Sequence, residues 1–181
     1  MYNNILDVKG LKVGQVEDEK ALTGCTVVIC ENGATCGVDV RGSAPGTRET
    51  DLLDPINSVQ KVHAVVLSGG SAFGLESTCG VSKYLEEKNI GFDVGVCKVP
   101  IVTGAVLFDL AVGDYKVRPD KEMGYKACLN ASKTELKQGN YGLNFFLIRI
   151  TVHMFCNGLF CSLIQTLKYL SCSVFTFICN I

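Results

Sequence analysis

All 18 aspartates and glutamates of this 181-residue chain lie before residue 143, and beyond that point only Arg149 and Lys168 carry charge. A chain with such a break does not read as one uniform fold. Residues 1–142 combine glycines, turn residues and charged residues at the spacing of strands and helices, whereas 143–181 strings together short runs of Phe, Leu, Ile, Val and Cys. The chain is therefore read as two regions: 1–142, a soluble α/β text, and 143–181, a hydrophobic Cys- and Phe-rich tail not native to the fold of the first.

Composition narrows the function classes. A formal net charge of -1 gives no electrostatic footprint for nucleic acid. The ten cysteines make no CxxC pair and no regular framework, which favours reduced thiols over a disulfide scaffold. With only His63 and His153 as histidines, the usual zinc ligands are missing and no metal is expected. Residues 1–10 show neither a basic n-region nor an apolar h-region, so the cytoplasm is the expected location.

Along the first region, 26–30 is β-branched and apolar, Asn32-Gly33 is a favoured tight-turn dipeptide, and 34–40 continues extended; this predicts a hairpin. Val38, Asp39, Val40 and Arg41 alternate, which predicts one buried and one polar face. Residues 62–67 form a short apolar run with the length of a buried strand, and His63 within it is expected to be a hydrogen-bonded packing residue. After Ser68-Gly69-Gly70-Ser71 the spacing of Phe73, Val81, Tyr84 and Leu85 predicts a helix over 72–88, with Ser71 as its N-cap and Asn89 with Gly91 at its exit. Pro100 and Gly104 split 92–112 into two extended segments. A second helix is expected over 120–133, with Met123, Ala127 and Ala131 inward and Lys121, Glu122 and Lys126 outward. The expected hairpin implies antiparallel pairing, so the order of elements suits an α/β layered sandwich better than a purely parallel sheet.

Three sites stand out. Strand, Ser68-Gly69-Gly70-Ser71, helix is a geometry that offers backbone N–H groups to an anion, although the residues match neither the dinucleotide nor the P-loop fingerprint. Arg41, Arg48, Glu49 and Asp51 around the 42–46 loop read either as a substrate-facing ion-pair network or as a loop tied down by its own pairs. Lys98, between Val96-Cys97 and Val99-Pro100-Ile101-Val102, is either a buried or half-buried amine with a perturbed pKa or one that snorkels to water.

Several motifs then carry a resemblance, in one order along the chain: Thr23-Gly24-Cys25-Thr26-Val27, Arg41-Gly42-Ser43-Ala44-Pro45-Gly46-Thr47-Arg48-Glu49-Thr50, and Leu67-Ser68-Gly69-Gly70-Ser71-Ala72-Phe73-Gly74-Leu75. They are followed by Val99-Pro100-Ile101-Val102, Val106-Leu107-Phe108-Asp109-Leu110 and Val117-Arg118-Pro119-Asp120. Together they resemble the L-aminopeptidase/D-esterase (DmpA-type) family of self-processing, N-terminal-nucleophile-like hydrolases. The resemblance implies a four-layer αββα sandwich like that of ornithine acetyltransferases, of which 1–142 is the α-chain half. It implies a precursor that cuts itself and frees a Ser or Thr whose own amine acts as base, with peptides or small amides as substrates and no cofactor. It also implies a β-chain partner and homo-oligomers of αβ units. By position it makes Lys98 an oxyanion or proton-transfer residue and places Gly69, Gly70, Ser71 and Phe73 in the substrate pocket.

The family pattern continues after an Asn-Tyr-Gly such as Asn140-Tyr141-Gly142 with a Gly-Thr-Gly-Ala-Thr-Val-Gly-like segment, and here Leu143-Asn144-Phe145-Phe146-Leu147 stands instead. The nucleophile is therefore expected to be absent, and the chain alone inactive. The tail reads either as a partner- or membrane-associating segment of a non-catalytic protein, or as read-through of a frameshift or intron. Arg149, His153, Asn157, Gln165 and Lys168 interrupt it, so it makes no clear membrane span.

Overall fold

The computed structural model describes residues 5–137, 141–142 and the strands within 151–156, 159–164 and 173–180. Its strands are β1 (Leu11–Asp18), β2 (Thr23–Gly42), β3 (Thr47–Arg48), β4 (Val62–Ser68), β5 (Phe92–Asp93), β6 (Lys98–Val99), β7 (Val102–Val106), β8 (Thr151–Cys156), β9 (Leu159–Ile164) and β10 (Ser173–Asn180). The described residues also form two α-helices, α1 (Ser77–Glu87) and α2 (Lys121–Leu129), and short 3-10 turns, one of them Ser71–Glu76 directly before α1. Eight strands make a mixed sheet in the order β3-β7-β4-β2-β10-β8-β9, with β1 also on β2, while β5 and β6 form a separate ribbon.

The centre of the sheet is where the apolar run predicted it. Every residue of β4 is buried, between antiparallel β2 and parallel β7. Strand alternation sends Ala64 and Val66 to one face and Val65 and Leu67 to the other, and both faces are covered. On the first face Cys25, Val27, Ile29, Ala64, Val66 and Val102 meet Val81 and Leu85 of α1 and Ala127 of α2. On the second, Val28, Val65, Leu67, Ala105 and Leu107 lie under Ile5, Leu6 and Val8. The two helices approach so closely that a Cβ on Gly80 would lie 1.8 Å from the Lys121 carbonyl oxygen, and one on Gly124 would lie 2.0 Å from that of Ser77.

The helix expectations hold in their cores and shift at their ends. Asp120 caps α2, its side chain accepting from Met123 N; Ala127 is fully buried, Met123 and Ala131 pack beside it, and Lys121, Glu122 and Lys126 face water. The helix stops at Leu129, short of 133. Asn89 ends α1 in a left-handed conformation, φ 55°, as the exit signal implied. Ser71 is not its N-cap: φ is 54° there, a 3-10 turn intervenes, and α1 begins after Glu76. Gly70 and Ser71 are both left-handed, φ 80° and 54°, so the chain enters through a 3-10 turn, a frequent lead-in to an α-helix.

The hairpin at Asn32-Gly33 is a second correction. The chain does not reverse there, and β2 runs through as a single strand. Opposite β4 the register jumps from Ile29↔Ala64 to Ala34↔Val62, so the dipeptide makes a bulge, with Gly33 at φ 72° supplying the left-handed residue. The actual hairpin lies earlier, between β1 and β2, where Asp18 Oδ1 accepts from Lys20 N and Ala21 N. Val38 and Val40 do pack inward while Asp39 and Arg41 are exposed, as the alternation required. The 92–112 stretch divides into β5, β6 and β7, one more segment than expected.

Candidate functional site

Strands β4 and β7 run in the same direction and end together, Ser68 beside Val106. Carboxyl ends of neighbouring parallel strands are where an open α/β sheet leaves a crevice. Here the chain leaving β4 is held at each step: Gly69 N donates to Gly24 O at 2.9 Å, Gly70 N to Asp109 Oδ1 at 2.7 Å, and Ser71 N to Leu107 O at 2.9 Å. Gly70 takes φ 80°, a value that favours glycine.

Asp109 organises this corner. Only 7% exposed, it uses one carboxylate oxygen for Gly70 N and the other for Thr23 Oγ1 at 2.7 Å. One buried carboxylate thus ties the start of β2, the loop after β4 and the chain after β7, and its hydrogen bonds offset the desolvation of the charge. Gly69 leaves the room: a Cβ there would lie 2.0 Å from Asp109 Oδ2 and 2.4 Å from Thr23 Oγ1.

The sequence geometry suggested an external anion on the Gly69-Gly70-Ser71 amides. The structure puts an anion there, but it is the chain's own Asp109, and the other two N–H groups go to backbone carbonyls. A phosphate would find none of these three donors free, which removes the basis for a nucleotide site. What the corner does present outward is Phe73, 57% exposed, with the Arg118 guanidinium carbon 4.0 Å above its ring centroid. Arg118 and Pro119 close over Gly70, Ser71 is half-buried, and exposed Phe108 precedes Asp109. The surface is apolar at Phe73 and Phe108, with a cation at its rim. Beneath it, the buried Ser68 Oγ has no hydrogen-bond partner among the described residues.

Gly69, Gly70, Ser71 and Phe73 are therefore one cluster, and Lys98 is not part of it. Lys98 is exposed on β6, so of its two readings the buried or half-buried amine falls and the amine in water stands; the β5–β6 ribbon is separate from the main sheet, with Phe92, Val94 and Val96 also exposed. It lies near His63, at the beginning of β4, whereas the corner is at its end; seven residues of strand separate the two by about 20 Å. His63 is the packing residue the sequence implied: Nδ1 accepts from Ile101 N at 3.2 Å, and burial, then Lys61 and Lys98, lower its pKa from the ordinary value.

The loop around 42–51 also departs from expectation. Among the described residues the ion pairs are Lys12–Glu31, Arg41–Asp39 and Lys83–Glu87, so Glu49 and Asp51 build no network with Arg48. Arg48 instead reaches across the sheet edge to α1, donating to Thr78 Oγ1 at 2.7 Å and Cys79 Sγ at 3.0 Å. A separate groove of about 850 Å³ opens between β2 and the loop before β4, lined by Cys36, Val38, Leu53, Asp54 and Lys61, and holds none of the corner residues.

In the sequence Asp109 and Thr23 appeared only as members of two family motifs, with no role of their own. The available signal was a single acid inside Val106-Leu107-Phe108-Asp109-Leu110, since a charge within an apolar run is tolerated where it is paired.

Residues 3–143 match the model of peptidase family S58. An uncharacterized aminopeptidase of Mycobacterium leprae is 49% identical over 134 residues, covering 70% of this chain and 37% of the relative. A 6-aminohexanoate-oligomer endohydrolase of a Kocuria species is 34% identical over 136 residues, covering 75% of this chain and 36% of that protein. The chain thus spans well under half the length of these curated relatives. Among solved structures, the L-aminopeptidase D-Ala-esterase/amidase of Ochrobactrum anthropi, described as a variant of the Ntn hydrolase fold, superposes with a TM-score of 0.66 at 15% identity, over 88% of this chain and 50% of that one. At that identity the likeness concerns the fold.

Proposed function

The chain belongs to peptidase family S58, and from that premise we propose that it is the α-chain-like part of a hydrolase acting on peptide or small amide bonds. The match across 3–143 carries this reading, supported by relatives named for aminopeptidase and oligoamide hydrolysis. The corner at Gly69, Gly70, Ser71 and Phe73 is its side of the substrate site, with Arg118 at the rim, and Lys98 is left outside. The reacting hydroxyl is a Ser or Thr freed by self-cleavage, with its own amine as base. That residue belongs to the segment expected after Gly142, which 143–181 does not resemble, so the chain alone turns over nothing. It works with a β-chain-like partner in oligomers of αβ units, without metal or organic cofactor. Ten cysteines spaced with no CxxC pair and no regular framework support a reducing compartment, the cytoplasm.

The test is release of amine from amino-acid amides and 6-aminohexanoate oligomers. The purified chain is assayed alone and after mixing with the separately produced part of the Mycobacterium leprae relative that lies beyond the match. No release alone and release from the mixture is the expected result. Turnover by the chain alone overturns the missing-nucleophile part, and a co-purifying pair that cleaves neither substrate overturns the hydrolase reading.

A further inference from the structure

The dipeptide Tyr141-Gly142 is pinned across β1 and β2 on the face away from the helices. Gly142 N donates to Glu17 Oε2 at 2.9 Å, and Gln15 Nε2 to Tyr141 O at 3.4 Å. Glu17 pairs in register with Gly24, and Gln15 with Thr26. Backbone meets backbone here: a Cβ on Gly24 would lie 2.4 Å from Gly142 O, and one on Gly142, at φ 61°, 2.4 Å from Thr26 Oγ1. Lys137 Nζ lies 5.0 Å from the centroid of the Tyr141 ring. A buried glycine in a left-handed conformation, with a carboxylate on its amide and a second glycine beneath its carbonyl, is a seat that only this backbone path fits.

The seat adjoins the corner. Gly24, the floor under Gly142, gives its own carbonyl to Gly69 N, and its neighbour Thr23 bonds Asp109. We infer that Glu17 is a positioning residue: its carboxylate fixes Gly142 on Gly24 and thereby braces the Thr23–Gly69–Asp109 corner that Gly24 adjoins. The seat stands on its own geometry, and its bearing on catalysis rests on the hydrolase reading above.

Amide hydrogen exchange of Gly142, followed by NMR in the full 181-residue chain, decides it, with Val27 and Val66 as reference amides of the buried sheet. Glu17→Ala is expected to speed Gly142 exchange by about tenfold or more at unchanged reference rates, the worth of one charge-assisted hydrogen bond. Glu17→Gln, which keeps an oxygen acceptor, restores part of the protection. Gly142→Ala, whose Cβ would crowd Thr26 Oγ1 and the Cys25 carbonyl, perturbs the seat from the other side and is expected to lower protection of Gly69 N as well. Equal Gly142 exchange in wild type and Glu17→Ala overturns the proposal, as does a Gly142 amide already unprotected in wild type. In the two-part mixture described above, Glu17→Ala lowers kcat while KM stays near wild type, and Glu17→Gln recovers activity; an unchanged kcat removes the catalytic bearing. If the wild-type mixture releases no amine, the hydrolase reading fails and the exchange result still judges the seat.

Discussion

Asp109 and Ser68 are adjacent in the same corner and have opposite energetic signs. Asp109→Ala strands Thr23 Oγ1 and Gly70 N in a buried site and is expected to cost about 2–4 kcal/mol in urea unfolding. Ser68→Ala removes a buried hydroxyl with no partner among the described residues, so the same measurement should show a change within about 0.5 kcal/mol or a gain. His63 adds a pH dependence. Its folded-state pKa is below the ordinary value of 6.5, and protonation would also take the Nδ1 lone pair from Ile101 N. The unfolded chain binds that proton more readily, so the contribution is complete above about pH 6.5 and is lost as pH falls through the lower folded value. Unfolding free energies of wild type and His63→Gln from pH 8 to 5 should converge on the acid side; parallel curves would remove His63 as the source.

Elements were legible in proportion to how local their signal is. β4 announced itself because a strand buried on both faces is a continuous apolar run, and α2 because its cap and periodicity agree over nine residues. β1 gave no such signal: Lys12, Gln15 and Glu17 interrupt it, and its place is decided by pairing with β2. Asn32-Gly33 carried a strong turn signal that tertiary context redirected, since a left-handed glycine serves a bulge as well as a reversal. The helix pair supplies a test at this scale. Ala in place of Gly80 gains about 1 kcal/mol of helix propensity, but its Cβ would lie 1.8 Å from Lys121 O. The contact is with backbone that cannot swing aside, so thermal unfolding of Gly80→Ala should show net destabilisation of about 1–3 kcal/mol. An unchanged Tm would mean that α1 and α2 separate freely.

Across the whole molecule, burial sorts the thiols of the described region into two sets. Cys79 and Cys97 are exposed; Cys25, Cys30, Cys36 and Cys128 are buried, and burial pushes Cys128 up to about 12 and Cys25 higher still. Brief alkylation of the native chain followed by peptide mapping should label Cys79 and Cys97 and spare the other four until denaturant is added. Early labelling of Cys25 or Cys128 would contradict the packing of the helices on the sheet. Residues a few positions apart were enough to mark the buried strand, the cores of the two helices, the inward face of α2 and the order of family motifs, while Phe73, expected on the apolar face of the first helix, lies exposed in the turn before it. It took the packed fold to make Asp109 the anion of the Gly69–Gly70 loop, to set Lys98 at the other end of β4, and to rest Gly142 on Glu17 and Gly24. Thr23 and Asp109 are 86 residues apart, and Glu17 and Gly142 are 125 apart. Contacts of that span are set by which strands become neighbours in the sheet, and no local pattern of residues records that choice.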